Sequence, residues 1–239
     1  MLADRIRSWV SILKTTPFHP QWLLRFGRSP DVLLAQASGR TLDIGCADRW
    51  PESKLPGDCK YVSLDYPITG HELYGAKPHI FADAASLPLS SSSFDTVLLF
   101  EVLEHLERPN RALAEIARVL CEGGRAIITI PFLYPMHDEP HDYQRYTRYG
   151  LLRELTTVGL RVECIETSLG SAKTAGVIMN IAMAGMLLQA VSQRSITALL
   201  APVVLVAIPV INLAALITDW ILPNWPAMTV GFHVVACRA

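Results

Sequence analysis

Acidic residues recur in this chain where apolar runs give way to small or polar residues. Thr41-Leu42-Asp43-Ile44-Gly45-Cys46-Ala47-Asp48 carries an acid inside an apolar strand pattern and closes in a small-residue turn. Tyr61-Val62-Ser63-Leu64-Asp65 ends in an acid 22 residues beyond Asp43, Asp83-Ala84 follows the run His79–Ala82, and Phe100-Glu101-Val102-Leu103-Glu104-His105 closes a fourth run. In an open α/β sheet, ligands bind beyond the carboxyl ends of the strands. A glycine in the first turn lets backbone N–H groups approach the ligand, and an acid about 20 residues further on accepts ribose hydroxyls. The chemistry these residues suit is the holding of a nucleoside.

A second cluster lies downstream. Pro131 to Tyr146 holds two histidines, three acids and three tyrosines. Histidine titrates near neutral pH, so His137 and His141 are candidate bases, with Asp142 beside them as the third candidate catalytic residue. The plainer alternative is that these polar groups only fasten the loop to the sheet edge.

The elements that would position these residues alternate. Apolar runs predict strands over Arg40–Cys46, Lys60–Asp65, His79–Ala82, Phe94–Phe100, Arg125–Pro131 and Leu160–Thr167. Helical spacing predicts Asn110–Leu120, stopped by Gly123-Gly124, and Thr147–Val158. Such alternation implies a parallel sheet covered on both faces. Upstream, residues 1–14 carry Leu2, Ile6, Trp9, Val10 and Leu13 at helical spacing, and a second short helical region spans Gln21–Gln36. Between Lys173 and Asp219 the only charged residue is Arg194, which splits the stretch into Thr174–Val191 and Ile196–Ile217, each roughly the 20 residues that cross a bilayer as helix. Thr229–Cys237 reads as a final strand. The expected organisation is an N-terminal helical region over 1–39, a core over 40–170, a hydrophobic helical insertion over 171–222 and the last core strand over 223–239.

Composition narrows the partners. The chain has 21 basic and 22 acidic residues and a formal charge of −1, which argues against nucleic acid as the partner. Hydrophobic residues make up 51% and charged residues 18%, which excludes general disorder and fits a chain carrying a membrane segment. Five scattered cysteines without a C-x-x-C pair suit a reducing compartment.

In the order D-I-G-C, S-L-D-Y, A-D-A-A-S-L-P, S-F-D-T-V, E-V-L-E-H-L, R-V-L-C-E-G-G and I-T-I-P-F, the stretch from Arg40 to Leu169 resembles the class I S-adenosylmethionine-dependent methyltransferases. The resemblance implies an α/β fold, a Rossmann-like seven-stranded methyltransferase sheet with helices on both faces, here with a hydrophobic helical hairpin inserted. It implies S-adenosylmethionine as cofactor. Gly45 and Cys46 would approach the methionine part, with Asp43 supporting the turn; Asp65 would hold the ribose, Tyr66 flank the adenine, and Asp83 and Ala84 meet the adenine. Phe100 and Glu101 would lie near the reactive methyl. The sequence departs from the family's glycine-rich turn at Ala47 and Arg49, and Arg49 is long enough to reshape the cofactor mouth. The E-x-x-E-H pattern of Glu101, Glu104 and His105 also looks like the metal site of small-RNA 2′-O-methyltransferases, with His141, or in second place His137, completing the set. A divalent metal is an option this resemblance leaves open and does not favour.

The sequence reading is thus a membrane-associated methyltransferase, its catalytic domain facing the cytoplasm, that O-methylates a small-molecule, lipid-linked, isoprenoid or sugar acceptor. The alternatives are a catalytically silent membrane adaptor that keeps the fold, and metal-assisted 2′-O-methylation of RNA. Pro202 and Pro209 keep a hairpin dipping into one leaflet beside one that crosses twice.

Overall fold

The computed structural model describes residues 13–239. They fall into two compact units, a sheet unit of Ser29–Phe132, Met136–Glu166 and Gly231–Ala239, and a helical unit built from the residues up to Arg28, Leu133–Pro135 and Thr167–Val230.

The sheet unit contains β1 (Arg40–Ile44), β2 (Lys60–Asp65), β3 (Ile80–Phe81), β4 (Phe94–Phe100), β5 (Leu120–Pro131), β6 (Leu160–Thr167) and β7 (Gly231–Arg238), in the spatial order β3-β2-β1-β4-β5-β7-β6. Strands β1 to β5 pair in parallel, as the alternation of runs predicts, but β7 lies antiparallel to β5, with Thr129 opposite His233. The order in which successive strands are added reverses between β1 and β4, the switch point where such sheets bind ligands.

Successive residues of the central strands face opposite sides of the sheet. Leu98, Ile127 and Val235 pack with Leu33 and Leu34 of α1 (Pro30–Leu34). Leu99, Ile128 and Val234 pack with Leu113 and Ile116 of α3 (Pro109–Val119) and Leu151 and Leu155 of α4 (Arg148–Thr157). Helix α2 (Pro67–Tyr74) joins β2 to β3. Pro67 and Pro109 start α2 and α3, and the Thr147 hydroxyl caps α4 by accepting from the Gly150 N–H at 3.1 Å.

Gly123-Gly124 does not end α3. The helix stops at Val119, the chain turns straight into β5 at Leu120, and Gly123, at φ +74°, absorbs the irregularity at the start of that strand. The region expected to be helical over Gln21–Gln36 is two pieces, a 3-10 helix Trp22–Phe26 and α1, separated by Gly27, Arg28 and Ser29. The helix expected over residues 1–14 falls outside the described residues except for Leu13 and Lys14, which belong to a 3-10 turn.

The helical unit holds α5 (Ser171–Ser192) and, after a 3-10 turn over Ile196–Leu200, α6 (Ala201–Ile221). Gly176 lets the helices and the Trp22 segment close up, because a Cβ there would lie 2.8 Å from Leu23 and 2.9 Å from Ala215. Asn180 donates to Asn212 at 2.8 Å, and Asn212 donates to the carbonyls of Pro17 and His19 at 2.6 and 3.1 Å. Lys173 and Asp219 pair at 2.8 Å at the end of the helices where the chain enters and leaves. Both helices are long and apolar enough to cross a membrane, and only 22% and 11% of their most apolar windows are buried within the protein.

Candidate functional site

The turn after β1 is fixed by its backbone. Gly45 and Cys46 donate to the Leu64 carbonyl at 2.8 and 3.2 Å, and Gly45 has φ +73°. A Cβ at Gly45 would lie 2.3 Å from a Val102 methyl, so any other residue would have to displace Val102 and adopt a strained backbone. Ala47 and Arg49 also have positive φ, +44° and +61°. Alanine at 47 is therefore strained, because the turn keeps the backbone conformation that glycine would favour. Arg49 is turned aside: its guanidinium donates to Glu52 at 2.9 Å, meets His79 at 3.3 Å and lies over the Tyr61 ring.

Beside this turn, at the carboxyl ends of β1 to β4, lies a cavity of about 650 Å³. Its wall includes Gly45, Asp65, Tyr66, Asp83, Ala84, Phe100, Glu101 and His141 of the residues singled out in the sequence. Asp65, 6% exposed, accepts from the backbone N–H groups of Ala47 and Tyr66, both at 2.8 Å. Asp83 accepts from the Ala85 N–H at 2.8 Å and pairs with Arg108 at 3.0 Å. Glu101 has φ +52° and lines the cavity, where desolvation of its carboxyl raises its pKa against the opposing hydrogen bond from Thr129.

Asp43 and Cys46 do not line the cavity. Asp43 lies within the strand and not at its tip, so its side chain turns to a face of the sheet and accepts from the Tyr61 hydroxyl at 2.5 Å. Burial pushes the Asp43 carboxyl up to about 7 and, with Asp65 and Asp43 nearby, the Cys46 thiol up to about 12.

The loop after β5 divides its two histidines. His141 faces the cavity, with Nδ1 at 3.3 Å from the Tyr143 hydroxyl, which donates to Glu107 at 3.3 Å. His137 joins a separate cluster with Glu104 and His105. Asp142 stands behind His137 and forms a two-pronged pair with Arg145, which holds its carboxyl down to about 2. Desolvation pushes the Glu104 carboxyl up to about 9, with Glu101 adding to it. The sequence reading preferred His141 beside Glu104 and His105; the fold brings His137 there instead.

Several wall residues escaped the sequence reading, among them Trp50, Ile68, Leu106, Arg108, Thr129 and His233. Trp50 stacks on Phe100 with ring centroids 5.5 Å apart. His233 is 6% exposed in a strand whose other residues from Phe232 to Cys237 are apolar, and that isolated histidine in the run Thr229–Cys237 was the available signal.

Residues 42–128 match the model of a methyltransferase domain. The chain is 31% identical over 130 residues to the O-methyltransferase cnsE of Penicillium expansum, covering 48% of this chain and 47% of that protein. It is 28% identical over 106 residues to the O-methyltransferase rstn1 of Aspergillus nomiae, covering 39% and 47%. The chain thus spans about half the length of these curated relatives. Among solved structures, the [4+2]-cyclase SpnF superposes with a TM-score of 0.54 at 21% identity over 87% of this chain and 80% of that one. An S-adenosylmethionine-dependent methyltransferase from Mesorhizobium loti gives 0.51 at 16% identity over 87% and 95%. The match to a methyltransferase domain covers residues 42–128, and the sheet unit shares its fold with these solved structures.

Proposed function

We propose that the chain is a membrane-associated methyltransferase that transfers the methyl group of S-adenosylmethionine to an oxygen acceptor. The observation that carries this reading is the single cavity that joins Gly45, Asp65 and Asp83 to Glu101 and His141. Asp65 suits the ribose hydroxyls, Tyr66 and Ala84 the adenine faces, and Asp83 the adenine edge, while Gly45 and Ala47 leave room for the methionine end. When bound, the cofactor supplies a methyl carbon on a sulfonium; the acceptor oxygen forms the new C–O bond in line as the C–S bond breaks and its electron pair stays on sulfur. His141 takes the hydroxyl proton, with Tyr143 orienting its ring, and Glu101 holds the acceptor at attacking distance.

Two apolar helices with most of their surface unburied support attachment to a bilayer. An acceptor embedded in that bilayer follows from the attachment: an isoprenoid, a lipid-linked sugar or a related small molecule. The cofactor is made in the cytosol, which places the sheet unit on the cytoplasmic side. The test is to incubate purified protein with methyl-labelled cofactor and a membrane extract. Label is expected in an organic-soluble product as a base-stable ether; label in protein or RNA alone, or none, would overturn the reading.

A further inference from the structure

Glu104 is fully buried, and neither of its carboxylate oxygens accepts a hydrogen bond. A carboxylate in that position is costly to bury unless a positive group shares it. Two imidazoles face it: Nε2 of His105 stands 3.6 Å and Nε2 of His137 3.8 Å from Oε1, too far for hydrogen bonds. The three ligand atoms lie within 4.8 Å of one another, and the rings meet edge to face at 4.9 Å.

What turns the rings this way is their other nitrogen. Nδ1 of His105 lies 2.6 Å from the backbone carbonyl of His141. A carbonyl oxygen only accepts, so Nδ1 carries the proton, and in the neutral ring Nε2 presents its lone pair to Glu104. Nδ1 of His137 lies 3.4 Å from Asp142 and 3.5 Å from the Arg145 guanidinium; the Asp142 carboxylate also accepts from the His137 backbone N–H at 3.0 Å and pairs with Arg145. Backbone carbonyls and carboxylates behind the rings are the supports that fix histidines as metal ligands. A proton placed between the groups would bridge one ring to Glu104 and leave the other facing it with a lone pair.

We infer that Glu104, His105 and His137 hold a divalent cation. Ligand atoms about 2.0–2.2 Å from one ion stand about 3–3.5 Å apart, so the two gaps to Glu104 need to close by about half an ångström and the two imidazole nitrogens, which lie within 4.8 Å of each other, by up to about 1.5 Å. Two imidazoles and one carboxylate favour the manganese-to-zinc series over magnesium or calcium. Three protein ligands leave a coordination position open. His105 also belongs to the wall of the cofactor cavity, so an acceptor hydroxyl there lies within reach of the ion, which would lower its pKa. That role rests on the methyl-transfer reading; the binding itself does not.

The test uses the full chain in detergent, stripped with a chelator and titrated with cobalt(II) chloride alone. The wild type should take up one equivalent with a visible d–d band that excess magnesium chloride leaves unchanged. His105→Ala and His137→Ala should each weaken uptake at least about tenfold, and Asp142→Asn by about ten- to a hundredfold, while His141→Ala leaves it unchanged, since its contribution is a backbone carbonyl. Circular dichroism and the affinity for S-adenosylhomocysteine, measured on the same samples, separate loss of the ion from loss of the fold. Wild type that binds S-adenosylhomocysteine but no cobalt, or equal losses in His141→Ala and His137→Ala, would overturn the site. Cobalt uptake without S-adenosylhomocysteine binding would instead overturn the methyl-transfer reading and leave the ion site standing.

Discussion

The carboxylate of Asp65 holds the backbone N–H of Ala47 at 2.8 Å, so the tip of β2 fixes the turn that follows β1. That contact keeps Ala47 at φ +44°, a conformation that costs a residue with a Cβ about 1–2 kcal/mol. Ala47→Gly should relieve the strain, offset in part by the greater freedom of glycine in the unfolded chain, for a net gain of about 0.5–1 kcal/mol. Denaturant titration of both proteins checks this, and a destabilised glycine variant would show that the turn is relaxed as it stands.

Asp43 gives the sheet unit a pH dependence. Its folded pKa, about 7, lies above the ordinary carboxyl value of 3.8, so the native state holds a proton that the unfolded chain releases. Its contribution to stability is therefore full below about pH 4 and declines as pH rises to about 7, where it levels off. Asp43→Asn should flatten this part of the stability profile between pH 4 and 7. An unchanged slope in the variant would assign the effect to another group.

Val206 and Val210 of α6 are 65% and 60% exposed. If α6 lies in a bilayer, Val206→Lys with Val210→Lys adds charges that cost about 2.5–3.5 kcal/mol each near its centre. The native chain should stay with membranes through an alkaline carbonate wash and the double variant should be released or degraded. A double variant that is equally membrane-bound, or a native chain found wholly in the soluble fraction, would place these valines outside lipid.

His141→Ala should lower kcat by about a hundredfold or more while leaving cofactor affinity unchanged, because a base acts on the acceptor proton and not on the nucleoside. Tyr143→Phe, which keeps the ring and loses the hydroxyl contact, should cost less and shift the pH–rate profile. Equal losses of turnover and cofactor affinity in His141→Ala would make the histidine a support of the loop.

Much of the sheet is legible because its strands are apolar runs with sharp ends; Phe94–Phe100 and Leu160–Thr167 coincide with their predicted bounds. The antiparallel course of β7 was not, since no local pattern in Thr229–Cys237 encodes the direction of its neighbour. Strand tips could be read as wall residues, whereas Asp43, inside its strand, points to a face and Cys46 is buried behind the turn. His137 and His141 are four residues apart in one loop, and spacing alone does not separate them. The division depends on Asp142 and Arg145 behind one ring and Tyr143 beside the other, a tertiary arrangement with no signature in composition. Trp50 and His233 reach the cavity from opposite ends of the sheet unit's sequence, and only the folded sheet unites them.

The most direct measurement is calorimetric titration of the intact chain and of Asp65→Ala with S-adenosylhomocysteine. One molecule should bind to the wild type, and the variant should bind at least about tenfold more weakly, as expected when a charged hydrogen-bond acceptor is removed. No heat of binding in the wild type, or the same affinity in both proteins, would contradict a nucleoside held by Asp65.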